Sequence, residues 1–206
     1  MVEHPVVVTV LRHGEVEGLP NVFRGRSNPP LSANGWQQMR SALKAVNLSS
    51  LNSIATSPLI RCQMFAKTIA AELNIALDIQ TDFQEMHFGD WEELNSHEVQ
   101  ALTPELFERF QRNPTGLAPP NGEAFDDFRQ RVINAFNNWA NAGNGEHRLL
   151  ITHAGVMRAL LAEHLGLTPD NLYRIALPPA ASFQVSLLAG HPPCLLNLNN
   201  GQPCAA

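Results

Sequence analysis

Three cysteines in 206 residues are too few and too scattered to organise a fold. Cys62, Cys194 and Cys204 are an odd number and lack metal-ligand spacing. That argues against a disulfide framework or a thiolate metal site, and a reducing, cytoplasmic setting is the simplest expectation. Cys62 is expected to pack as a small apolar side chain. Charge is also scarce. Charged residues make up 16% of the chain, and 19 acidic against 14 basic residues give a net charge of −5. Such a chain lacks the basic excess of a general nucleic-acid binder. If its ligand is an anion, the positive charge must be local, so the arginines that converge matter more than the total. No apolar run reaches the length of a membrane span. Met1-Val2-Glu3-His4-Pro5 lacks the basic start and apolar stretch of a secretory leader. No internal repeat or dividing linker is evident. Hydrophobic residues reach 44%, enough for a sizeable core. One domain is expected over residues 1–189, followed by a loosely held tail, 190–206, rich in Pro, Asn and Gly.

The organising stretch is Val6-Val7-Val8-Thr9-Val10-Leu11-Arg12-His13-Gly14-Glu15. A β-branched run of this kind predicts a strand buried on both faces, as in a parallel sheet covered by helices. Ligands of open α/β sheets bind beyond the carboxyl ends of the strands, where Arg12 and His13 would sit. Gly14 carries no side chain and is expected to let a ligand approach the backbone. A guanidinium beside an imidazole suggests anion chemistry, with His13 as nucleophile or base. Arg148-Leu149-Leu150-Ile151-Thr152-His153-Ala154-Gly155 repeats the pattern, and parallel strands would bring both ends to one sheet edge.

Between these strands, the loop over residues 15–31 carries Phe23-Arg24-Gly25-Arg26, whose arginines are candidates to reach a phosphate. Ser32 is the expected cap of a first helix, with Trp36, Met39, Leu43 and Val46 at core spacing. A short strand is expected over residues 53–56. Ser57-Pro58 is then expected to open a second helix, with Ser57 as cap and Arg61 near its anion-favouring end. A further short strand is expected over residues 76–80. In Glu85-Met86-His87-Phe88-Gly89-Asp90-Trp91-Glu92, a carboxyl group could act as general acid, and spacing alone leaves Glu85, Asp90 and Glu92 open. Residues 93–122 form a less regular helical insert, a candidate lid or specificity region. Phe125, Phe128, Val132, Phe136 and Trp139 mark an amphipathic helix. Late strands are expected over residues 172–177 and 182–188.

Leu11-Arg12-His13-Gly14-Glu15, Ser57-Pro58-Leu59-Ile60-Arg61-Cys62, the 85–92 run and Thr152-His153-Ala154-Gly155 together resemble the histidine phosphatase superfamily, also called phosphoglycerate-mutase-like. Within it, Phe23-Arg24-Gly25-Arg26 and the His-Phe-Gly-Asp-Trp-Glu run resemble bacterial α-ribazole phosphatases. The resemblance implies an α/β three-layer sandwich with a mostly parallel central sheet and helices on both faces. It implies a phosphomonoester hydrolase acting through a phosphohistidine on His13. Arg12, Arg61 and His153 would clamp the phosphoryl group, and Glu85 would be acid and then base. Arg24, Gly14, Asn21 and Ala154 are the expected substrate contacts. Many members carry Asn six positions after the nucleophile; here that position is Leu19, with Asn21 as a substitute.

The expected substrate is a small phosphorylated metabolite, first α-ribazole 5′-phosphate of cobalamin nucleotide-loop synthesis. A broad-specificity phosphatase, a phosphoglycerate mutase and a non-catalytic phosphate-binding domain are the alternatives. No cofactor, metal, nucleic acid or membrane is expected as partner. Converging arginines would repel a metal held by His13 and His153. The chain is expected to be a monomer or homodimer.

Overall fold

The fold is that of a computed structural model, which describes residues 4–143 and 146–200. Its centre is a six-stranded sheet. The strands are β1 (Val6–Arg12), β2 (Leu51–Thr56), β3 (Leu77–Ile79), β4 (His147–Thr152), β5 (Ser182–Leu187) and β6 (Cys194–Asn199), in the order β3-β2-β4-β1-β5-β6. β1, β2, β3 and β4 run parallel, and β5 and β6 add an antiparallel edge. The helices are α1 (Ala33–Leu43), α2 (Ile60–Leu73), α3 (Ser96–Leu102), α4 (Pro104–Arg112), α5 (Phe125–Asn141) and α6 (Ala154–Leu165).

Alternation along β1 explains the layers. Val6, Val8 and Val10 point to one face, where they join Leu150 and the buried stripes of α5 and α6. Leu11 points to the other, with Leu149, Ile151, Ile54 and the buried residues of α1 and α2. Side chains on successive strand residues alternate between faces, so one continuous apolar run supplies two cores. The result is the expected mostly parallel α/β sandwich. No helix among the described residues is long and apolar enough to cross a membrane.

The local signals explain most boundaries. Ser32 caps α1 by accepting from the Gly35 N–H at 3.0 Å. Asn95 and Glu98 form a reciprocal capping box on α3. α6 ends at Gly166, whose φ of 64° lies in the left-handed region that glycine tolerates. In the 93–122 insert, Phe107 and Phe110 of α4 pack edge-on against Trp91, so the insert is part of the core.

Three expectations are corrected. The second helix begins at Ile60, and Ser57 does not cap it. Residues 172–177 are not a strand: Pro169–Arg174 is a 3₁₀ segment, begun by a proline whose fixed φ suits a helical first turn. The tail read as loosely held contains β6, paired antiparallel with β5. Leu195 anchors it against the core, while the surrounding Pro, Asn and Gly give the composition of a loop. Residues 201–206 of that tail lie outside the described residues.

Candidate active site

Parallel pairing of β1 and β4 puts Arg12 opposite Thr152, and the His13 N–H donates to the Thr152 carbonyl at 2.9 Å. Both strand-end histidines therefore stand at one sheet edge, with ring centroids 5.3 Å apart in an edge-on arrangement. A cavity of about 790 Å³ opens there. It is lined by Arg12, His13, Gly14, Asn21, Arg24, Glu85 and Ala154, seven residues singled out by the sequence.

His13 is held in one tautomer. Its Nδ1 lies 2.7 Å from the Gly14 carbonyl, which can only accept, so Nδ1 carries the hydrogen and Nε2 keeps its lone pair. Burial holds the imidazole well below the ordinary histidine range, and the charges of Arg12 and Arg61 push it the same way. His13 is neutral at pH 7, with the nitrogen remote from the Gly14 carbonyl free to act as a nucleophile.

Glu85 faces the same cavity. The Gly155 N–H donates to its Oε2 at 2.9 Å, and the Met86 N–H donates to Oε1 at 3.0 Å. A Cβ on Gly155 would lie 2.1 Å from Glu85 Oε1, so glycine is what admits the carboxylate to the start of α6. The other two acidic candidates have different work. Glu92 accepts the backbone N–H groups of Arg26, Ser27 and Phe88 and shapes two loops. Asp90 accepts from the side-chain amide of Asn121. His87 is part-exposed, 3.7 Å from Glu92.

Arg61 and His153 lie behind the cavity wall, both fully buried. Arg61 donates from Nη1 to the Ser27 carbonyl at 2.6 Å, and from Nη2 to the carbonyls of Gly25 at 2.9 Å and Arg24 at 3.2 Å. Its Nε donates to His153 Nδ1 at 3.3 Å, which leaves the hydrogen of His153 on Nε2, 2.7 Å from Ser57 Oγ. Ser57, expected as a helix cap, thus holds His153. Burial lowers His153 well below its ordinary range, with Arg61 acting in the same sense, and burial lowers Arg61 as well. Four of the five Arg61 N–H groups serve the protein itself, and one on Nη1 is uncommitted. Cys62 packs against His153, and burial pushes its thiol up to about 12.

Gly14 has a second role besides bordering the cavity. The space its missing side chain leaves is occupied by Gly35: a Cβ on Gly14 would lie 2.2 Å from the Gly35 carbonyl oxygen. Gly14 lets α1 pack against the strand end, and only its backbone borders the cavity.

One feature of the sequence passed unread. Arg158, one turn into α6 from Ala154, lines the cavity with its guanidinium over the Tyr173 ring, 5.2 Å from the centroid. The signal was available, because positions four apart share a helix face. With Arg158 counted, three arginines line the cavity: Arg12, Arg24 and Arg158. Among the described residues, four buried side-chain polar atoms lack a hydrogen-bond partner, and three are the Nε atoms of these arginines. Three guanidinium groups on one cavity make a local concentration of positive charge suited to an anion. Burial lowers Arg12 to about 10, with Arg158 adding to the effect, so Arg12 is still charged at neutral pH. No group of three His, Cys, Asp or Glu side chains that could hold a metal occurs among the described residues.

Comparison with known proteins agrees with this chemistry. The profile of the histidine phosphatase superfamily (branch 1) matches residues 8–200. A bifunctional protein of Mycobacterium tuberculosis is 31% identical over 179 residues, covering 86% of this chain and 49% of that protein. The chain thus spans about half the length of that relative. An adenosylcobalamin/alpha-ribazole phosphatase of Escherichia coli is 25% identical over 165 residues, covering 80% of this chain and 81% of the relative. The crystal structure of the alpha-ribazole phosphatase from Shigella flexneri superposes with a TM-score of 0.81 at 23% identity, covering 94% of this chain and 96% of that one.

Proposed function

Since this chain belongs to branch 1 of the histidine phosphatase superfamily, we propose that it hydrolyses a small phosphomonoester through a phosphohistidine on His13. The observation that carries the reading is the cavity itself: a neutral imidazole with one free nitrogen stands in a cavity lined by three arginines. The His13 Nε2 lone pair attacks phosphorus. The ester P–O bond breaks, and the leaving oxygen takes a proton from the Glu85 carboxyl. Water then attacks the phosphorus, giving a proton to the Glu85 carboxylate. The P–N bond breaks, and its electron pair returns to Nε2. Arg12 donates to the phosphoryl oxygens. Arg61 adds charge and its uncommitted N–H from behind, and His153 sets the Arg61 fork. Charge spreads over three phosphoryl oxygens in the transition state, so donors fixed in advance lower the barrier. The arginines supply the positive charge, and the proposed reaction needs no metal.

The first candidate substrate is α-ribazole 5′-phosphate, acted on in the cytoplasm. Phe23, Phe88, Phe110 and Phe128 give the cavity an aromatic wall suited to a flat base carried on ribose. The alpha-ribazole phosphatase of Escherichia coli among its relatives supports the same choice. The test is phosphate release, as kcat/KM, from α-ribazole 5′-phosphate, 3-phosphoglycerate and an aryl phosphate, with chelator present. A large preference for α-ribazole 5′-phosphate, lost in His13→Ala, is the expected result. Comparable modest rates on all three would keep the mechanism and remove the cobalamin assignment.

A further inference from the structure

Glu85 is held by more than the two N–H groups that bond its carboxylate. It ends a short turn, residues 82–85, and each carbonyl of that turn accepts a side-chain hydrogen bond. Thr152 Oγ1 donates to the Phe83 carbonyl at 3.0 Å. The other three converge on Arg131, 46 residues further along, in the middle of α5. Its Nη1 donates to the carbonyls of Asp82 at 2.6 Å and Gln84 at 3.0 Å, and its Nη2 donates to that of Glu85 at 3.2 Å. The remaining two N–H groups go to one carboxylate: Nε to Glu123 Oε1 at 2.6 Å, and Nη2 to Glu123 Oε2 at 2.9 Å. All five guanidinium N–H groups are thereby engaged. Burial favours the neutral Glu123 carboxyl, but the hydrogen bonds and charge of Arg131, the His87 N–H and the charge of Arg26 together outweigh it and keep the group below its ordinary value. Glu123 also accepts the His87 N–H at 3.2 Å, which ties down the chain just beyond Glu85. The guanidinium lies over the Phe128 ring, 5.0 Å from its centroid, and Phe128 borders the cavity.

We propose that Arg131, fixed by Glu123, is the positioning residue for Glu85, setting where its carboxyl meets the leaving oxygen of the substrate. This rests on the reading of Glu85 as proton donor. A planar fork with five donors at fixed angles can hold three carbonyls and a carboxylate together; an ammonium has three donors and no such plane. Proton transfer depends on sub-ångström placement of the acid, so a loosened turn costs rate at that step before it costs binding.

The test separates leaving groups that need a proton from those that do not. In rapid-quench experiments on Arg131→Lys, phosphoenzyme formation from an alkyl phosphomonoester should fall about 100-fold. Formation from p-nitrophenyl phosphate, whose leaving group departs as an anion, should change less than about threefold, with the half-saturating substrate concentration of that formation step little altered. Steady-state turnover of p-nitrophenyl phosphate should then be limited by phosphoenzyme hydrolysis, where Glu85 acts as base, and phosphohistidine should accumulate. Equal loss with both leaving groups would mean Arg131 only holds the fold, and no loss with either would mean the fork is dispensable; each overturns the proposal. Should Arg131→Lys fail to fold, Glu123→Gln is read the same way, with about a tenfold selective loss expected. Wild-type enzyme that forms no phosphohistidine with either substrate would sink the underlying mechanism, which distinguishes that failure from failure of the positioning role.

Discussion

The chemistry proposed for His13 and Glu85 rests on two glycines. The Gly14 carbonyl sets the His13 tautomer, and the bare Cα of Gly155 leaves room for the Glu85 carboxylate. Gly155→Ala should therefore lower kcat about 100-fold while leaving KM within a factor of about three, because the displaced group acts in proton transfer. Steady-state kinetics on an alkyl phosphate checks this, and an unchanged kcat would show that Glu85 tolerates the move. Arg158 makes the opposite kind of prediction. Arg158 lines the cavity, so Arg158→Met should lower kcat/KM about 10- to 100-fold, the range for a charge-assisted hydrogen bond. Unaltered kcat/KM for all three test substrates would remove Arg158 from the site. The residues of the sheet edge were largely legible in the sequence, since Arg12, His13 and His153 end apolar strands. The role of Gly14 was not. Its lack of a side chain is explained by Gly35, and nothing within ten residues of Gly14 announces that approach.

The elements that position the site meet at close backbone crossings. α1 crosses the end of β1 at Gly14 and Gly35, where a Cβ on Gly35 would lie 1.9 Å from the Glu15 carbonyl oxygen. Backbone cannot swing aside as a side chain can, so Gly35→Ala should destabilise the fold by about 2–3 kcal/mol or more. Denaturant unfolding measures this, and wild-type stability would show that α1 is free to shift. Strands and helices with strong periodicity were readable in the chain because burial itself creates the pattern, as along β1 and α5. Two elements were misread where burial is slight or contested. β6 buries little beyond Leu195 and is written in loop-like residues. The residues from Leu172 to Leu177 look like a strand, yet Pro169 starts a 3₁₀ turn that sends Leu172 into the cavity wall. The cross-chain fork of Arg131 was equally invisible, because its partners lie 8 to 49 residues away.

Across the whole molecule, the sheet edge concentrates groups that burial keeps neutral. His13 and His153 both lie well below the ordinary histidine value of 6.5. Below that value the unfolded chain takes up protons that the folded chain refuses. Stability is thus complete above about pH 6.5 and declines as pH falls, by about 1.4 kcal/mol per pH unit for each of the two histidines. Thermal unfolding between pH 7.5 and 5 should show a falling Tm; a flat or rising profile would mean that these histidines titrate normally. The fold class was the most legible feature, since a repeated strand-His pattern and two-faced apolar runs define a parallel sandwich with an active edge. The substrate was the least legible, because the aromatic wall is assembled from residues 23, 88, 110 and 128, far apart in the chain. The most direct test of the account is a rapid-quench search for phosphoenzyme by mass spectrometry under alkaline conditions, where a phosphohistidine survives. The account predicts one phosphoryl group per chain on the peptide carrying His13, absent in His13→Ala and long-lived in Glu85→Gln. Phosphate release at the wild-type rate with no phosphorylated His13 at any time would contradict it.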